Sequence, residues 1–306
     1  MYDVIIIGAG AAGLSAAIYA CRRKLKILVI SIDKGGQTLL TSHIENYPGF
    51  ETSHGANLMK IFEKQAIEEG AEIVPGRIVK LDKVENKFIT TLSNDEKYES
   101  KAVILAYGKV PAQLNISGED KFVGLGIHIY AVYDAPLYKD KIVAVIGGGN
   151  SALDSALILS KYANKVYLIH KRNEFRGEQV LIERVKNTNN IEIILEHIPM
   201  EFKGEDKLNS LIIKHINNEE LKEIKLDGVF VEIGYINKVD FVKHLVEINE
   251  KNEIVIDIYC KTKTPGLFAA GDVTIMPYKQ TITAAGEGCK AALTCYSYLT
   301  GKSGAV

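Results

Sequence analysis

The chain has 306 residues, 47% of them hydrophobic and 25% charged, a length about twice that of one ordinary domain, so two cores can be buried without staples. Lys plus Arg number 37 against 38 for Asp plus Glu, and a net charge of −1 gives no whole-molecule field for nucleic acid or an anionic membrane, so neither is expected as a partner. Cys21, Cys260, Cys289 and Cys295 are scattered, with no C-x-x-C, no metal-ligand spacing and no disulfide framework, which fits a reducing cytoplasm and a protein without a metal.

From Val4 to Cys21 no residue is charged. Gly8, Ala9, Gly10 and Gly13 break this apolar run directly after a short strand, so it reads as strand, turn and buried helix, not as a leader or membrane span. The same pattern returns further on. Val4-Ile5-Ile6-Ile7 leads into Gly8-x-Gly10-x-x-Gly13, and Val143-Ala144-Val145-Ile146 leads into Gly147-x-Gly149-x-x-Ala152, each position 139 residues after its counterpart. The next strand keeps that register, with Ile27-Leu28-Val29-Ile30 answered by Val166-Tyr167-Leu168-Ile169. Two βαβ units are therefore predicted, each opening on a strand buried on both faces.

The glycines serve a tight turn, a close backbone approach to pyrophosphate and a close helix–strand contact, the last taken by Ala152 in the second unit. Phosphates would sit over the free N–H groups of the first helical turn: Ala11, Ala12 and Gly13 in the first unit, Asn150, Ser151 and Ala152 in the second. Two such sites imply electron transfer between two dinucleotides. Between the repeats, Pro75-Gly76 marks a turn, and Phe88 to Leu92 and Ala102 to Ala106 read as strands of a small antiparallel layer over the first sheet. Ile191 to Glu232 forms a matching stretch after the second repeat.

With these residues in view the chain resembles the low-molecular-weight thioredoxin reductase family of flavoproteins over essentially its whole length. The resemblance is carried by Val4 to Gly13; Gly35-Gly36-Gln37; Ile44 to Gly49; Ala106-Tyr107-Gly108; Gly147 to Ala152; His170-Lys171-Arg172-x-x-x-Arg176; Thr264 to Val273; and Tyr278-Lys279-Gln280-Thr281. It implies an α/β fold of two Rossmann-like, three-layer ββα dinucleotide-binding domains. A discontinuous FAD domain, residues 1–113 and 243–306, would hold an inserted NAD(P)H domain, residues 114–242, and the molecule would be a homodimer. It also implies that Asp272, beside Gly271, holds the ribityl chain, and that Gly36, Gln37, Asn46, Lys279, Gln280 and Thr281 line the flavin, with Ala106 and Gly108 at the cofactor.

Two departures touch FAD. Ser31, with Asp33 two residues on, stands where an acid is expected to grip the ribose, and Tyr107 replaces a small hydroxyl residue. In the second unit His170 stands in the acid's place, followed by Lys171, Arg172 and Arg176. These cations suit a 2′-phosphate, so NADPH is favoured over NADH, although Lys171 lacks the bidentate geometry of arginine.

The most consequential departure lies at Tyr130-Ala131-Val132-Tyr133-Asp134. In the resembling reductases this segment is C-x-x-C followed by Asp, and a phenol cannot perform thiol–disulfide exchange. The expected activity is therefore electron transfer from NAD(P)H through FAD to a non-disulfide acceptor, small molecule or carrier protein: ferredoxin, quinone, free flavin or oxygen. Tyr130, Tyr133 and Asp134 would lie near the isoalloxazine, either controlling access or filling space. Arg22-Arg23-Lys24-Lys26 either docks an acidic carrier or complements the dipole of the first helix. Two alternatives stand beside this reading: a disulfide reductase using an unrecognised thiol pair, and a flavin-binding regulatory protein without turnover.

Overall fold

The computed structural model describes residues 1–40, 44, 46–51, 54–129 and 131–302. The chain divides into two compact units, Met1–Val110 with Ile236–Val306, and Pro111–Tyr235.

In the first unit, five parallel strands run in the order Glu72–Pro75, Ile27–Ser31, Tyr2–Ile7, Lys97–Leu105 and Leu267–Ala269. Val4 pairs with Ile27 and Ile7 with Ile30, the register the repeat predicts. The antiparallel hairpin Ile78–Val84 and Lys87–Leu92 attaches to the first half of Lys97–Leu105. Ala102 to Leu105 is thus not part of a separate antiparallel layer, as the sequence suggested. The first half of this nine-residue strand is mixed in polarity and pairs with the hairpin, whereas Ala102-Val103-Ile104-Leu105 is fully buried and joins the parallel sheet.

Helix Ala11–Arg22 packs on the long C-terminal helix Thr281–Thr300 at backbone distance. A Cβ on Gly288 would come within 2.0 Å of the Ala12 carbonyl, and the Ser15 hydroxyl donates to the Ala285 carbonyl at 2.7 Å. Small side chains at this crossing let the C-terminal segment close over the helix that starts the first glycine turn.

The second unit holds an all-parallel sheet in the order Ile191–Ile194, Lys165–Ile169, Ile142–Gly147, Gly228–Glu232 and Ile127–His128. Val143 pairs with Val166, the counterpart of Val4 with Ile27. Alternation along the strands sorts the core. Val143, Val145, Val166, Leu168 and Phe230 pack against Leu153, Ala156 and Leu159 of helix Asn150–Ser160. Ala144, Ile146, Ile169, Val229 and Val231 face Phe202, Leu211 and Ile213 of a three-stranded antiparallel sheet, His197–Gly204, Leu208–His215 and Leu221–Lys225. Strands covered on both faces and the period of two together give the ββα layering.

Candidate functional site

Each unit presents a glycine turn that is closed below and open above. In the first, Gly8 has φ +107° and a Cβ there would meet the Ala106 carbonyl at 2.4 Å; one on Gly13 would meet the Gly8 carbonyl at 1.9 Å. In the second, a Cβ on Gly147 would meet the Glu232 carbonyl at 2.2 Å. Gly10 and Gly149, the residues before the two helices, have nothing within 4 Å of a built Cβ. Neither helix has a side-chain cap, so first-turn N–H groups of Ala11, Ala12 and Gly13, and of Asn150, Ser151 and Ala152, face that open space. An anionic diphosphate fits both turns in shape and in charge.

Around the first turn most of the expected flavin residues converge. The Ser31 hydroxyl accepts from the Ala9 amide at 3.0 Å, and the Asp33 carboxylate accepts from the Gly36 amide at 2.7 Å, so both brace the loop as well as stand near it. The Gln37 amide donates to the Lys109 carbonyl, that of Asn46 to the Gln280 side chain, and the Thr38 and Thr281 hydroxyls lie 3.1 Å apart. Gly108 has φ +63°, Gly271 has φ +78°, and the Gly271 amide donates to Glu287 at 2.7 Å. Asp272 does not cap a helix, since it follows strand Leu267–Ala269 and the next helix opens only at Thr281. Its carboxylate is half-buried and accepts no hydrogen bond among the described residues; burial pushes its pKa up, against Lys279 and Lys109. A half-buried carboxylate lacking a donor beside an open phosphate turn fits a cofactor hydroxyl.

Sequence reasoning missed the charge cluster behind this site. Lys109 lies 3.0 Å and Lys279 3.6 Å from the buried Glu253, and Lys279 also donates to the Thr274 carbonyl. Burial pushes the Glu253 carboxyl up, but Asn249, Lys109 and Lys279 more than offset it and hold it below the usual range. Tyr107 is accommodated by edge contact with Phe241, 5.1 Å between centroids, and its buried hydroxyl has no partner among the described residues.

Around the second turn, His170 packs its ring over Gly148, where a Cβ would come within 2.4 Å of it, and stacks on Phe175. Burial first, then Arg172 and Lys171, lower its pKa, so the ring is neutral at pH 7; its buried Nε2 has no partner among the described residues. The positive charge is thus carried by Lys171, Arg172 and Arg176, all exposed. The Arg176 amide donates to the Gly148 carbonyl at 2.8 Å, which ties the cationic loop to the turn, and Asn150 accepts from the Glu178 amide at 2.8 Å.

The residues expected near the isoalloxazine fall in the segment Pro111–Tyr235, and the basic cluster in the first unit. Tyr130 lies outside the described residues. Tyr133 is 52% exposed on the short helix Ala131–Asp134. Asp134 is held by His128 at 2.8 Å, and the other nitrogen of His128 lies 2.7 Å from the Tyr138 hydroxyl. Of the basic cluster, Arg22 pairs with Glu69 at 2.7 Å and Arg23 lies over the Tyr296 ring. Among the described residues no His, Cys, Asp and Glu group could hold a metal, and no helix is long and apolar enough to cross a membrane.

Two glycine-turn α/β units, each shaped for a dinucleotide, define a flavin- and nicotinamide-linked oxidoreductase. The chain belongs to the pyridine nucleotide-disulphide oxidoreductase family, whose model matches residues 2–288. It is 38% identical over 302 residues to a thioredoxin reductase of Rickettsia conorii, with 97% of each chain covered. Among solved structures it is similar to the thioredoxin reductase of Lactococcus lactis, with TM-score 0.91, 32% identity and coverage of 99% and 100% of the two chains. The T. acidophilum thioredoxin reductase follows at TM-score 0.87, 35% identity and coverage of 97% and 98%. The protein is a thioredoxin reductase-like flavoprotein oxidoreductase with the two-domain Rossmann-type fold of a family that uses FAD and NADPH.

Proposed function

We propose that this protein takes electrons from NADPH through FAD and hands them to its acceptor without a dithiol of its own. The observation that carries the proposal is the state of its thiols. Cys21, Cys260 and Cys295 are buried and Cys289 is half-buried. Burial raises the pKa of every one, Cys21 to about 11 and Cys260 to about 12, so at neutral pH none supplies the thiolate that attacks a disulfide. No two of them stand three positions apart, and by the resemblance Tyr130 and Tyr133 fall where the family carries its cysteine pair.

Bound FAD supplies the chemistry that links a two-electron nicotinamide donor to acceptors taking one or two electrons. The chain's part is to bind and orient. The first-turn amides of Ala11, Ala12 and Gly13 would hold one diphosphate, and Asp272 would fix the ribityl hydroxyls while Gly36, Gln37, Asn46, Gln280 and Thr281 line the ring system. Asn150, Ser151 and Ala152 would hold the second diphosphate, and Lys171, Arg172 and Arg176 would grip the 2′-phosphate, the arginines in bidentate fashion. The inserted segment 114–242 is read as the NADPH domain and the rest as the FAD domain, the molecule acting as a homodimer in the cytoplasm.

A disulfide acceptor is the second reading, and the relatives favour it over ferredoxin, quinone, flavin or oxygen, because the similar proteins of Rickettsia conorii, Lactococcus lactis and T. acidophilum are all thioredoxin reductases. One experiment separates the two. Steady-state oxidation of NADPH by the flavin-loaded protein is followed with thioredoxin, ferredoxin, a quinone and oxygen in turn, and free thiols are counted before and after reduction. Turnover of a carrier or quinone with an unchanged thiol count supports the proposal. Two new protein thiols together with turnover of thioredoxin would establish the disulfide reductase instead. A flavin that NADPH does not bleach at an enzymatic rate would point to the binding protein without turnover.

A further inference from the structure

Strand order marks one crevice of the second unit. From Ile142–Gly147 the chain goes to Lys165–Ile169 on one side, while Gly228–Glu232 pairs on the other. The carboxyl ends of those two central strands border the topological switch point, where open α/β sheets take their ligands. Glu232 is the last residue of its strand, and its backbone carbonyl lies directly under Gly147 of the dinucleotide turn.

The Glu232 side chain shares the helix-side face with Phe230, two positions earlier. It accepts from the Ser155 hydroxyl at 2.7 Å, on the second turn of the helix that starts at the dinucleotide turn. No cation faces it from the packed elements. Strand Ile142–Gly147 brings no titratable group, and helix Asn150–Ser160 brings only Asp154, of like charge. Strand Ile127–His128 brings His128, whose ring stacks on Phe230 and whose nitrogens are engaged by Asp134 and Tyr138.

We infer that Glu232 is a ligand-facing residue of the nicotinamide-dinucleotide site, a carboxylic acid when the nucleotide binds and a repelling carboxylate when it ionises. The inference rests on the reading that this unit binds NADPH. Burial, with Asp154 adding to it against the Ser155 hydroxyl, raises the carboxyl to about 7, so the exchange of its proton with solvent falls in the working pH range. A diphosphate laid over the turn would strip water from this carboxyl and set negative charge beside it, which favours the protonated form further.

The test is calorimetric titration of the flavin-loaded protein with NADP⁺ and with NAD⁺, from about pH 5.5 to about pH 8.5, on the wild type and on Glu232→Gln. The ratio of variant to wild-type affinity for the same nucleotide cancels the titration of the nucleotide's own phosphate, whose second pKa is about 6. The variant's advantage is expected to be small at about pH 6 and to grow about tenfold per pH unit above the carboxyl midpoint, because only the protonated fraction is competent. Ser155→Ala removes the bond that favours the carboxylate and should move the wild-type break to higher pH, a readout that serves if Glu232→Gln does not fold. A flat ratio, or a wild type without a break, overturns the inference while nucleotide binding still stands. Absence of binding by both nucleotides at every pH overturns this inference together with the proposed function.

Discussion

The two glycine turns share a register and a backbone path, and they differ in what stands at the end of the neighbouring strand. In the first unit the Ser31 hydroxyl accepts from the Ala9 amide and so becomes part of the turn. In the second, His170 fills the space above Gly148 with a neutral ring and leaves the charge to Lys171, Arg172 and Arg176. On the proposed reading, a repeated backbone fixes where a diphosphate lies, while the side chain one strand away decides which nucleotide is recognised. The third small residue differs as well. Gly13 lies so close to Gly8 that no Cβ is tolerated, whereas the second turn accommodates the Ala152 methyl.

The largest effect should come from breaking that last contrast. Gly13→Ala drives a methyl into the Gly8 carbonyl and is expected to cost at least about 3 kcal/mol and to yield colourless protein. The matching change Ala152→Gly should cost only about 1 kcal/mol, the helix propensity of glycine, and keep the flavin. Denaturant unfolding and the flavin-to-protein absorbance ratio measure both, and equal costs would show that the turns are packed alike.

Next in size is the charge cluster of the first unit, Lys109 and Lys279 about Glu253. Lys109→Met removes the closer partner of buried Glu253 and should destabilise by about 3 kcal/mol, somewhat eased by Lys279. Glu253 has a depressed folded-state pKa, so its contribution is present above the ordinary glutamate value of about 4.3 and is lost as pH falls through the folded value. The variant's acid transition should accordingly begin at higher pH than the wild type's. Unfolding curves of both at pH 7 and in acid check the two parts.

In the second unit, Arg172→Ala and Arg176→Ala should each lower the NADPH-to-NADH ratio of kcat/KM by about tenfold, about 1.4 kcal/mol, and the loss should shrink at high salt. An unchanged ratio in both would remove the basic loop from nucleotide choice. The smallest effect concerns His170. Its folded-state pKa is depressed below 6.5 by burial, so its contribution to stability is complete above that pH and declines as the pH falls below it. That decline should be weaker in His170→Asn when unfolding is compared at mildly acidic and neutral pH.

Much of this architecture was legible because its signals are local. A run such as Val4 to Ile7 followed by glycines at fixed spacing can form little but a buried parallel strand and its turn, and the equal offset of Ile27 and Val166 extends that to the next strand. Lys97–Leu105 was not read correctly, because one strand serves two kinds of neighbour and its halves look like separate elements. Asp134 shows the other limit. Nothing in its immediate neighbours announces that His128 will hold it, since that bond depends on Ile127–His128 joining the sheet edge beside Phe230.

By itself the sequence determined the duplicated dinucleotide turns, the scattering of the four cysteines and the cationic run after Ile169, all properties of residue type and spacing. Tertiary structure alone decided the partners of buried charge: Glu253 between Lys109 and Lys279, Asp272 without a donor among the described residues, Glu232 beside Ser155 and Asp154. The reason is physical. Steric demands of a turn act over a few residues along the chain, whereas the ionisation of a carboxyl depends on water excluded and charges approached through space, which no local pattern encodes.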